Sequence, residues 1–204
     1  MDNLIQNKFT PIITVLVIGA ALLYFTNNLF QIEKLPKDEK KESFLPPLVS
    51  ETLAARFDYL SQQTTNACLG GKDYASSLSP DGKRIQGSCC SLMDLHSYQE
   101  QIEGLKEYAE YEIIPPDPYD IEASFADQMI TYNDQTKLTV EQQAVYNKAM
   151  ELSMEGGPCC CKCWHWYSYE GLAKYLIVNE GFSAEQIAEV WDLSDACGGE
   201  HHHH

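Results

Sequence analysis

Residues 158–166 read PCCCKCWHW, and no other stretch restricts the fold as much. Cys159, Cys160, Cys161 and Cys163 are half of the chain's eight cysteines. Neighbours in such a run do not readily pair with one another, because a disulfide needs Cβ vectors aimed at each other. The others are Cys68, Cys89, Cys90 and Cys197, so a fully disulfide-bonded chain would have to bring all four to the cluster. A soft ion explains the crowding more simply, because thiolates at C-x-C and C-x-x-C spacing can wrap one metal. Cys160 and Cys163 form the C-x-x-C pair, and Cys159, Cys161 and Cys163 form a C-x-C-x-C set. His165 adds a candidate imidazole, with Trp164 and Trp166 on either side.

The cluster follows Gly156-Gly157, a helix stop, and precedes a helical pattern from Tyr169. Backbone amides and the helix dipole at that N-terminus are expected to lower thiol pKa values. A second constellation, CCSLMDLH, holds Cys89, Cys90, Met93 and His96. A helix is expected over 91–111, and at helical spacing Cys89 to Met93 is an i, i+4 step and Met93 to His96 an i, i+3 step, which puts thiolate, thioether and imidazole on one face. That set suits Cu(I), with Zn(II) able to use the thiolates and imidazole. Core packing for Met93 and a helix-surface place for His96 are the plain alternatives. Met150 and Met154 read as core. Cys197, beyond the last helix, either closes the site or pairs with a cysteine of it. Cys68 is expected in a disulfide with Cys89 or Cys90.

The N-terminal run PIITVLVIGAALLYF, residues 11–25, carries no charge and reads as a membrane-spanning helix. Residues 1–30 are therefore assigned to an anchor, and 31–47, charged and broken by Pro36, Pro46 and Pro47, to a tether. No lipobox-type cysteine lies near the anchor. A positive-inside count over Lys34, Lys37, Lys40 and Lys41 would keep the domain in the cytoplasm. The interleaved Glu33, Asp38, Glu39 and Glu42 weaken that count, and an extracytoplasmic domain on a single-pass anchor is preferred. A formal charge of −16 argues against nucleic acid as a partner. The tail His201–His204 is read as either a tag remnant or a native tail and carries no argument.

Residues 48–200 are expected to form an all-α domain, a compact bundle of about six short helices joined by cysteine-rich loops. Ser50 is a plausible N-cap for a helix with Leu53, Phe57 and Leu60 on one face. Residues 70–87 read as loop, with SPDGK as a turn. A helix is expected over 121–131. Thr139 with Gln142, and Ser183 with Gln186, fit capping boxes, and Gly181 ends the helix between them. No alternating pattern of useful length argues for a strand.

PCCCKC, with Pro158, Cys159, Cys161 and Cys163 in register, resembles the signature of bacterial cell-envelope proteins known by a Pro-Cys-Tyr-Cys-Gly-Cys motif. Cys160 stands where that family has Tyr and Lys162 where it has Gly. The resemblance spans six residues and implies a small, helical, envelope-anchored protein for which metal binding is the usual suspicion. Together these features lead to a membrane-anchored soft-metal-binding protein, with Cu(I) first and zinc second, that stores or hands on the ion, with a protein partner left unspecified. A thiol–disulfide oxidoreductase using Cys160 and Cys163 is the enzymatic alternative, although no βαβ thioredoxin-like pattern accompanies the pair. A disulfide-stapled partner-binding module is the third reading. An iron–sulfur site is a fourth, with C-x-C-x-C an uncommon spacing for it.

Overall fold

The computed structural model describes residues 52–199. The anchor, the tether, Ser50 and the histidine tail lie outside the described residues. Among those described, no helix is long and apolar enough to cross a membrane.

The described chain is mostly helical, in line with the all-α expectation. Seven α-helices are α1 Leu53–Leu60, α2 Asp73–Leu78, α3 Leu95–Leu105, α4 Ala123–Gln135, α5 Val140–Leu152, α6 Trp164–Tyr175 and α7 Ala184–Leu193. Two three-residue strands, β1 Arg84–Gln86 and β2 Asp120–Glu122, pair antiparallel with Ile85 opposite Ile121. Neither the strands nor α2 was expected. A three-residue strand is too short to show alternation, and α2 is held by burying Ala75 rather than by a side-chain cap.

Local signals set several boundaries. Thr139 and Gln142 bond reciprocally at the start of α5, and Ser183 and Gln186 do so at the start of α7. Each pair satisfies two otherwise orphaned amides. Helix α6 runs into a π-helical turn, Leu176–Glu180, that ends at Gly181 with φ +70°. The expected helix over 91–111 is corrected. It starts only at Leu95, because Asp94 is its N-cap and accepts a bond from the Ser97 amide at 2.8 Å. The helix expected over 121–131 begins at Ala123 and runs on to Gln135, its first residues being taken by β2.

Two layers of the core matter for the site. One joins α3 to α7 through Leu105, Met129, Tyr169, Leu172, Leu176, Ile187 and Trp191, all nearly inaccessible. Helices α4 and α6 approach so closely that a Cβ at Gly171 would lie 1.9 Å from the Met129 carbonyl oxygen. The other layer buries Ile85, Ile121, Ala126, Ile130 and Trp164 together with Cys159, Cys163 and Cys197. Arg56 of α1 clamps this end, pairing with Asp117 at 3.3 Å and with Asp120, which Arg84 also holds at 2.5 Å.

Candidate metal centre

Four separate stretches deliver the cysteines to one end of the molecule, and each is fixed by bonds of its own. Asn66 ties the Cys68 segment to the ribbon, with its amide on the Gln86 carbonyl at 3.1 Å and its Nδ2 on the Gly87 carbonyl at 2.9 Å. The same side chain accepts from the Trp164 indole at 3.0 Å, joining that segment to the start of α6. The Cys89–Cys90 stretch lies along the C-terminal strand of chain after α7. The amides of Cys89 and Cys90 donate to the carbonyls of Ala196 and Cys197 at 3.1 and 3.2 Å, and the Gly199 amide donates back to Leu92 at 2.8 Å. Gly198 makes this approach possible: its φ is +77°, and a Cβ there would lie 2.4 Å from the Ser91 carbonyl oxygen. Cys163 is itself the N-cap residue of α6, which puts the PCCCKC run directly at that helix's N-terminus.

The result is a single gathering of all eight thiols. Sulfur–sulfur separations are 3.0 Å for Cys68–Cys161, 3.1 Å for Cys159–Cys197, 3.2 Å for Cys160–Cys197 and 3.3 Å for Cys68–Cys90. Cys89 lies 3.4 Å from Cys90, 3.5 Å from Cys68 and 3.8 Å from Cys197. Four sets of three have every sulfur within 4.8 Å of the others: Cys68–Cys90–Cys161, Cys89–Cys90–Cys197, Cys159–Cys160–Cys197 and Cys159–Cys161–Cys163. Metal–sulfur bonds of about 2.3 Å in a trigonal site place sulfurs about 4 Å apart, so each set has the span of a three-thiolate site. Sets of this kind can hold a metal ion, and each sulfur has several sulfur neighbours where a disulfide would give it one.

The depth of the thiols differs. Cys159, Cys163 and Cys197 are buried, Cys68, Cys89 and Cys161 are half-buried, and Cys90 and Cys160 are exposed. The electrostatics also differ from the expectation of low thiol pKa values. The amides of His165 and Trp166 do favour the Cys163 thiolate, as a helix N-terminus should, but the Cys159 thiol beside it and burial push Cys163 up. Burial is the main cause that raises Cys68, Cys160 and Cys161. At Cys90 burial acts the same way but is outweighed by contacts with Cys68, Cys89, Cys160 and Cys197, which hold it below the ordinary thiol value.

The non-cysteine candidates lie elsewhere. His165 is buried, stacks on Tyr169 with ring centroids 4.1 Å apart, and bonds through Nε2 to the Ser194 carbonyl at 3.0 Å. Burial lowers its pKa to about 4, so it is a neutral core residue that fixes the turn before Cys197. His96 is exposed on α3 and faces Glu100 at 3.3 Å. Met93 packs with Leu60, Tyr98, Tyr119 and Ala196. Because Cys89, Cys90 and Met93 precede α3, the helical face proposed for Cys89, Cys90, Met93 and His96 does not form. Cys160 and Cys163, the C-x-x-C pair, fall in different sets of three. Cys68 is the ligand candidate that sequence reasoning set aside, and its one signal was the even split of four cysteines in the cluster and four outside it. No family model matches the chain, and neither does any curated protein or solved structure.

Proposed function

We propose that this chain is a membrane-anchored protein that binds a soft metal through its thiol cluster, Cu(I) first and zinc second, to store the ion or hand it on. The carrying observation is that every cysteine of the chain belongs to at least one three-thiol set. Thiolates select soft ions. Structural zinc is almost always held by four protein ligands, and sets of three thiolates therefore suit Cu(I) better than a structural zinc. The exposed Cys90 and Cys160 give an ion a route to the buried sulfurs. The uncharged run 11–25 supports the anchor, and the motif resemblance supports an extracytoplasmic domain.

Competition for Cu(I) between the reduced full chain and a colorimetric cuprous chelator tests this reading. A companion chain with His201–His204 replaced by alanine removes the tail's imidazoles from the count. The chain should strip copper from the chelator, and thiol alkylation should abolish uptake. Failure to compete, or no titratable thiol after anaerobic preparation without reductant, would contradict the reading. The second result would favour the disulfide-stapled module.

A further inference from the structure

The four three-thiol sets are not independent. Cys68–Cys90–Cys161 shares Cys90 with Cys89–Cys90–Cys197. That set shares Cys197 with Cys159–Cys160–Cys197, which shares Cys159 with Cys159–Cys161–Cys163. The last set shares Cys161 with the first, and the chain of sets closes on itself. Each set thus holds two shared thiols and one of its own: Cys68, Cys89, Cys160 and Cys163 are the unshared four. The geometry points to one polynuclear centre, a closed ring of four Cu(I) ions in which Cys90, Cys197, Cys159 and Cys161 bridge neighbouring ions and the other four thiolates are terminal. This inference rests on the soft-metal reading above and adds the number of ions and the role of each sulfur.

Every ion in such a ring has two bridging ligands and one terminal ligand. The eight sulfurs are then all used, and none is left over. Cross-ring contacts keep the ring compact, since Cys89 also lies beside Cys159 and Cys90 beside Cys160. The balance is simple: four Cu(I) and eight thiols give a centre of four coppers and eight thiolates with charge −4, and eight protons leave. Copper enters and stays monovalent, so no oxidant or reductant is consumed. Amides of His165 and Trp166 aim at Cys163 and that of Cys161 at Cys159, where they favour negative charge. Sharing also couples the ions, because filling one set positions two ligands of its neighbours.

Cys90 and Cys160 provide the test, because both are exposed and differ in role. Anaerobic Cu(I) titration of the full chain, its tail histidines replaced by alanine, would be read by native mass spectrometry. The expected end state holds four coppers, with partly filled species scarce. Cys160→Ser removes one terminal ligand and should cost at most one copper. Cys90→Ser removes a bridge and should cost two. Circular dichroism of both variants before loading checks that the helices persist. A wild-type end state of one or two coppers would overturn the ring and leave the soft-metal reading standing. Equal losses in the two folded variants would also overturn it. No bound copper at all would sink both.

Discussion

The helical half and the cysteine end of this domain are ordered by different means. Between α4 and α7, burial is mostly apolar: Met129, Leu172, Leu176, Ile187, Val190 and Trp191 are nearly inaccessible, and two capping boxes define helix starts. At the other end, four loop segments converge through backbone bonds and two three-residue strands, and the atoms they bury include thiols. Apolar burial of this kind is the dominant favourable term in folding. Thiols 3.0 to 3.8 Å apart gain little from one another. The difference separates a scaffold from a site: α4 to α7 carry the stability, and the loops carry the chemistry.

Metal removal should expose this division most strongly. An ion held at free concentrations about a thousandfold above its Kd adds about 4 kcal/mol of stability. In a domain of this size that raises Tm by at least about 10 °C. Hydrogen exchange should slow most at the amides of Cys89, Cys90 and Ser91 on copper loading, and within α4 and α6 by no more than the gain in global stability. Equal slowing everywhere would erase the distinction between the two regions.

The next perturbation strikes the scaffold alone. Leu172→Ala, at a fully buried position on α6, should cost about 2–5 kcal/mol in chemical denaturation of the reduced protein. Copper stoichiometry should be unchanged in the folded variant. Gly171→Ala, whose Cβ would meet the Met129 carbonyl, should cost about 1–3 kcal/mol by overpacking α4 against α6. A drop in copper number from either would show that scaffold and site are not separable. Thr139→Ala, which removes the α5 cap, should cost about 1 kcal/mol. Smallest of all is His96→Ala: an exposed ring beside Glu100 should change stability by no more than about 0.5 kcal/mol and leave metal uptake intact. Reduced uptake there would restore His96 as a ligand.

The scaffold was the more legible region. Capping boxes at Thr139 and Ser183 and the stop at Gly181 act over three or four residues, so their signals sit side by side in the sequence. Asp94 was equally local, but the SLM before it was absorbed into the same helical pattern, and the helix was begun four residues early. The strands were illegible because their stability comes from the Ile85–Ile121 pair, 36 positions apart, and from the Arg84–Asp120 contact. At the site, the clustered cysteines were legible as a group that could hold a metal ion. The convergence of Cys68, Cys89, Cys90 and Cys197 on them was not, because it depends on backbone pairing between residues 89–92 and 196–199. His165 misled for a related reason. A histidine two residues from a thiol cluster looks like a ligand until the Ser194 carbonyl, from the far end of the chain, is found bonded to it.

X-ray absorption at the copper edge of the loaded full chain, tail histidines replaced, tests the central claim most directly. The account predicts a first shell of about three sulfurs per copper, with metal–sulfur distances near 2.3 Å and a distinct metal–metal shell from bridged neighbours. A first shell containing nitrogen or oxygen, or sulfur coordination without any metal–metal shell, would contradict it.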